Sequence, residues 1–233
     1  METPRRFYKD VAVRAVDDVF AVTLDGREIE TPGGRALRVP KEKLAQGVAA
    51  EWEAQGKQII PATMPFTRFA YVALDHTHAN REERIGILTK YAETDLLAHR
   101  TDTPAALVAR QNATWTPLLN WAANELHLFL PIVTGIIAAD ISPGAIAAVR
   151  WSADSLDDFT LTGLTHTAGL AGSCVLAFAL LKGRLNGQQA FEAACLDDLW
   201  SQEKWGVDDE AQARLERIRA EFDEVTRYFE ALR

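Results

Sequence analysis

The chain has 233 residues, 48% of them hydrophobic and 25% charged, with a formal net charge of −8. A chain of this length buries enough apolar surface to fold without a disulfide or metal staple. Residues 1–100 balance 15 acids against 15 bases, residues 101–185 carry 6 and 4, and residues 186–233 carry 12 and 6. The acidity gathered in the last quarter argues against a nucleic-acid partner, whose phosphates attract basic faces.

The N-terminus, Met1-Glu2-Thr3-Pro4-Arg5-Arg6-Phe7, has no apolar signal core and meets acids early. It reads as neither a secretory nor a transit peptide. Val11–Val16 and Val19–Leu24 are apolar runs that read as strands. Asp25-Gly26 after the second is a hairpin signal, because glycine tolerates the positive φ that the turn needs. Arg27–Thr31 ends at the turn Pro32-Gly33-Gly34, and Arg35–Val39 is stopped by Pro40. The expectation is a small antiparallel meander.

From Lys41 the period changes to that of a helix. Leu44, Val48, Trp52 and Gln55 share a face, and Gly56 is the expected stop. Trp52 reads as a core anchor. Ile59–Pro65 is held extended by its prolines, and helical spacing resumes near Arg68. Thr101–Pro104 and Pro131–Gly135 interrupt it, and Ser142-Pro143-Gly144 reads as a helix cap followed by proline in the first turn.

Leu161–Leu181 approaches the length of a membrane span. Its glycines and threonines, and the acids Asp157-Asp158 in place of a basic flank, favour one buried helix of a bundle. The clearest pattern comes last. Ala211, Leu215, Ile218, Phe222, Val225, Phe229 and Leu232 recur at spacings of 4 and 3, a long amphipathic helix whose seam packs on the protein's own core.

The fold class is therefore α+β: a small N-terminal antiparallel sheet with a packed helix over residues 1–75, then a mainly α-helical domain over residues 76–233.

Catalytic patterns are scarce. Cys174 and Cys195 lie in apolar surroundings and read as reduced core thiols, which suits a reducing compartment. His76 and His78 near Asp75 lack a further ligand to complete a metal site. Gly33-Gly34 lacks the Lys-Ser/Thr of a phosphate loop. Ser173 sits inside an apolar helical run and not on a nucleophile elbow. Asp197-Asp198 and Asp208-Asp209-Glu210 read as solvated carboxylates. Glu203 follows Leu196, Leu199 and Trp200 by seven, four and three positions, on the side of an apolar stripe. It is either a stripe-edge residue reaching water or a charge placed inside an interaction surface.

Several segments, in order, resemble a known family. They are Arg6-Phe7-Tyr8-Lys9, Leu24-Asp25-Gly26-Arg27, Thr31-Pro32, Leu37-Arg38-Val39-Pro40, Glu51-Trp52-Glu53-Ala54-Gln55 and Met64-Pro65-Phe66-Thr67. Further on come Tyr91-Ala92-Glu93-Thr94-Asp95, Gln111-Asn112-Ala113-Thr114-Trp115-Thr116-Pro117 and Trp205-Gly206. The set resembles the assembly chaperones of the alpha subunit of the F-type ATP synthase catalytic sector, with mitochondrial and bacterial members.

The resemblance implies the same two-part fold, no catalysis, no cofactor, and binding of the free alpha subunit by a monomer without membrane insertion. It implies a cytoplasmic protein, or a matrix one if a presequence has been removed. The family's functional acid falls on or beside Glu203, with Asp198 also favoured. Trp200, Asp209 and Glu210 join them as the expected partner surface, and Trp52, Trp205 and Gly206 as structural anchors. The alternatives are a small soluble enzyme or a self-associating helical protein.

Overall fold

A computed structural model describes residues 4–135 and 139–233. Two compact units emerge: residues 1–81 with 157–163 and 227–233, and residues 82–156 with 164–226. The sequence-based division at residue 75 is linear, whereas the first of these units also gathers two short segments from far along the chain.

In the first unit, β1 (Val11–Val16) and β2 (Val19–Leu24) pair antiparallel with Val13 opposite Val22. The short strands β3 (Arg27–Glu28) and β4 (Arg38–Val39) both pair antiparallel with β2. The expected hairpin is present: Asp25 and Gly26 adopt φ of 49° and 82°, the positive pair that a two-residue turn between twisted strands requires. Ala21, Val22, Thr23 and Leu24 are buried.

Helix α1 (Glu42–Glu53) packs on β1 and β2 through Leu44, Ala45, Val48 and Trp52. Its C-terminal carbonyls are met by an arginine: Arg6 Nη1 donates to the Glu53 and Gln55 carbonyls at 2.9 and 2.7 Å. A cation at this end also suits the helix dipole. The Tyr8 hydroxyl donates to the Trp52 carbonyl at 2.6 Å.

The start of α2 (Pro65–Val72) is served from α1. The Glu51 carboxylate accepts from Phe66 N at 2.6 Å, Thr67 N at 2.8 Å and Thr67 Oγ1 at 2.7 Å. Burial raises the Glu51 pKa while these bonds pull it down. Gln55 adds a bond from Ile60 N at 2.7 Å. The motif residues Arg6, Tyr8, Glu51, Trp52, Gln55, Phe66 and Thr67 are thus one another's partners. Their spacing records architecture. The far segments close the same unit: Tyr228 lies 4.6 Å from Phe69, centroid to centroid, and its hydroxyl donates to the Phe159 carbonyl at 3.0 Å.

The second unit is helical: α3 (Arg81–Glu93), α4 (Ala105–Leu126), α5 (Pro143–Asp154), α6 (Asp158–Ala171), α7 (Cys174–Leu181), α8 (Gly187–Ala194), α9 (Leu196–Trp205) and α10 (Asp209–Leu232). The first residue of α3, the N-terminal turn of α6 and the C-terminal turns of α10 belong to the first unit. The expected cap is formed, with Ser142 Oγ accepting from Ala145 N at 3.1 Å. The seam of α10 faces inward, with Leu215, Phe222, Val225 and Phe229 buried. The fold is α+β, with the small sheet N-terminal.

One expectation is corrected. Leu161–Leu181 is two helices, broken where Gly172 takes φ 61° and Ser173 caps α7 by accepting from Leu176 N at 3.0 Å. A buried carboxylate sets the break. Asp95, fully shielded from solvent, accepts from Ser173 Oγ at 2.7 Å, Val175 N at 3.0 Å and Leu97 N at 3.0 Å. Among the described residues no helix is long and apolar enough to cross a membrane.

Candidate functional site

Every acid of α9 has a partner in the second unit. Gln111 on α4 donates to both oxygens of Asp197, at 2.9 and 3.1 Å. Its neighbour Arg110 grips Glu203 with two parallel bonds of 2.6 and 2.9 Å, the fork geometry that a guanidinium offers a carboxylate. From α10, Arg214 reaches Asp198 at 2.7 Å. The hydrogen bonds between Arg110 and Glu203 hold the Glu203 carboxyl below its ordinary range and raise the Arg110 guanidinium, and the bond to Asp198 raises that of Arg214.

Behind these pairs lies a buried polar layer. Arg100 donates to the Gln111 carbonyl at 2.6 Å and sits over the Trp115 ring, 5.0 Å from its centroid. Trp115 Nε1 donates to the Ala193 carbonyl at 2.8 Å, and Thr101 N donates to Gln111 Oε1 at 3.0 Å. The Gln111–Pro117 motif therefore positions α9. Arg110 and Arg214 were not legible as its partners, because their pairs span 93 and 16 positions of sequence.

Glu203 borders a groove of about 510 Å³ lined by Leu118, Phe191, Leu196, Leu199 and Arg219. The guanidinium of Arg219 sits 4.7 Å from the Phe191 ring centroid. The expected apolar stripe thus divides. Leu196 and Trp200 turn inward, whereas Leu199, one turn before Glu203, is half-buried beside it. Trp200, expected on the partner surface, is 6% exposed: spaced four from Leu196, it shares the inner face of α9.

Trp205 departs from its expected role as an anchor in the opposite sense. It is the last residue of α9 and is 74% exposed, its ring meeting that of Trp200 edge-to-face at 5.2 Å and 78°. Gly206 ends the helix: its N–H donates to the Gln202 carbonyl at 3.0 Å, and φ 91° with ψ 170° is backbone open to glycine alone. That turn leaves the indole outside. Asp209 and Glu210 open α10 and are exposed, with Asp208 Oδ2 accepting from Ala211 N at 2.9 Å. Trp52 is 8% exposed and packs edge-on to Tyr8 at 5.6 Å.

Among the described residues, no three His, Cys, Asp or Glu side chains stand together as metal ligands. Asp75 is committed to Thr31 Oγ1 and Gly33 N at 2.6 and 2.9 Å, and His78 to Asp158 at 2.9 Å. Burial raises the Cys195 thiol to about 11 and Cys174 well above its ordinary value, which leaves both as inert thiols.

The chain is similar to known proteins over nearly its whole length. The family model described as ATP12 chaperone protein matches residues 5–123. Protein atp12, mitochondrial, of Schizosaccharomyces pombe is 27% identical over 214 residues, 87% of this chain and 74% of that protein. Atp12 from Paracoccus denitrificans superposes with a TM-score of 0.93 at 36% identity, over 99% of each chain. The Atu1473 protein of Agrobacterium tumefaciens gives 0.92 at 35%, over 99% of this chain and 87% of that one. With a family model across half the chain and a shared fold across all of it, the protein belongs to the ATP12 chaperone family.

Proposed function

We propose that the protein binds the free alpha subunit of the F-type ATP synthase and holds it for assembly of the catalytic sector, acting as a monomer and without catalysis of its own. Membership of the ATP12 family carries this reading. The α9 surface is consistent with it: an open groove lined by both apolar and polar side chains, bordered by a carboxylate whose geometry an arginine fixes. An unassembled subunit exposes surface meant for its neighbours, and such patches aggregate. A chaperone that covers one patch and later leaves needs a modest, partly polar interface.

The working compartment we infer is the bacterial cytoplasm, or the mitochondrial matrix for a chain whose presequence has been removed. Co-purification with each ATP synthase subunit separately, joined to an aggregation assay, tests the reading. Selective capture of alpha and suppression of its aggregation are expected. Equal protection of unrelated unfolded proteins would overturn it.

A further inference from the structure

We propose that Trp205 and Val207 form a projecting contact that receives a cationic side chain flanked by apolar residues on the alpha subunit. The inference rests on the function proposed above and adds the chemistry of the contact.

Trp205 and Val207 are 74% and 61% exposed, and they stand on either side of Gly206. Large apolar side chains this exposed gain nothing for the fold, and tryptophan is enriched among residues that dominate interfaces. The packing beneath makes the spur firm. Trp200 is buried and meets the Trp205 ring at 5.2 Å, and Lys204 Nζ lies 5.9 Å from the Trp200 centroid. The chain's own cation is thus stationed over the inner indole, while the outer indole is left to solvent.

The surrounding charge selects the occupant. From Glu203 to Glu210 the chain carries Glu203, Asp208, Asp209 and Glu210 against the single cation Lys204. Glu203 is met by Arg110, and Asp208 caps α10. Asp209 and Glu210 stand in the first turn of α10, exposed, two and three positions after Val207. An exposed indole and exposed carboxylates within a few residues of it in sequence each attract a guanidinium or ammonium group, the one through the ring quadrupole and the other through charge. The same charges repel an anionic lipid surface or an acidic peptide. An arginine or lysine between aliphatic neighbours on the alpha subunit satisfies both halves of the spur.

The test is calorimetric titration of isolated alpha subunit into the wild-type protein, Trp205→Ala, Trp205→Phe and the double variant Asp209→Asn/Glu210→Gln, each at low and high salt. Trp205→Ala is expected to weaken binding about thirty-fold, the factor that corresponds to a dominant interface residue. Trp205→Phe keeps most of the affinity. The double variant binds more weakly and loses much of the salt dependence. Thermal melts of all the variants stay at the wild-type value, because the altered side chains are exposed.

Wild-type binding with Trp205→Ala within two-fold of it overturns this inference and leaves the proposed function standing. An affinity that rises with salt, or a wild-type dimer in sedimentation that Trp205→Ala dissolves, also overturns it, the second by making another copy of this chain the occupant. No binding of alpha by the wild-type protein at all removes the proposed function instead.

Discussion

Arg110 on α4 and Glu203 on α9 are 93 residues apart in sequence and meet through two parallel hydrogen bonds of 2.6 and 2.9 Å. Both side chains are more than a third exposed, so solvent screens the pair and it contributes little to stability. Its effect is positional: it fixes a carboxylate at the groove. Glu203→Lys sets two cations against each other there. It is expected to leave the thermal melt nearly unchanged and to weaken binding of the alpha subunit. The charge-swapped variant Arg110→Glu/Glu203→Lys restores the pair but not the sign presented at position 203, and its affinity in a binding titration is expected to stay low.

Trp52→Ala acts through folding. Truncating a buried tryptophan costs roughly 3–5 kcal/mol, and here it also removes the ring packed on Tyr8. Denaturant titration should show the loss directly. An unchanged melt with lost alpha binding would make Trp52 an interface residue.

Gly47→Ala inverts the usual expectation for a helix. Alanine normally stabilises a helical site by about 0.5–1 kcal/mol relative to glycine. At Gly47 an added Cβ would fall 2.1 Å from Cδ2 of the Phe66 ring, so the ring must move and overpacking of roughly 1–3 kcal/mol wins. A lower melting temperature for Gly47→Ala checks it.

Asp95 links stability to pH. Burial raises its carboxyl from 3.8 to about 6, against hydrogen bonds from Val175, Ser173, Leu97 and Cys174 that lower it. The native state therefore holds this proton more tightly than the unfolded chain does. The stabilising contribution is full below about pH 4 and is lost as pH rises through about 6. About two units correspond to roughly 3 kcal/mol. Asp95→Asn lacks the titration, so the stability of the wild type relative to Asp95→Asn should fall by that order between pH 4 and pH 7, as followed by urea unfolding.

Local signals read well in this chain, and long-range ones did not. The Asp25-Gly26 turn, the Ser142 cap and the inward seam of α10 are each specified within a few residues, where backbone sterics and helical period suffice. The break at Gly172 was missed because Gly163, Gly169 and Gly172 all lie in this segment and composition does not say which of them ends a helix. The carboxylate that helps fix it, Asp95, lies 78 positions from Ser173. At the site, Glu203 and Leu199 were placed together by helical spacing alone. The burial of Trp200 and the exposure of Trp205 were not legible, because period locates a face but not which face the rest of the protein covers. Arg110 carried no sequence signal beyond its place beside the Gln111 motif.

Tyr228 has a consequence for the order in which the protein can be made. The N-terminal unit includes residues 227–233, and Tyr228 fills its core against Phe69 and the Phe159 carbonyl. On the ribosome the sheet, α1 and α2 emerge long before Tyr228, an aromatic that packs against α2. A nascent chain stalled before Tyr228 therefore lacks the ring that packs on Phe69 and the hydroxyl that donates to the Phe159 carbonyl, and its first unit is left without part of its core until most of the second has been made.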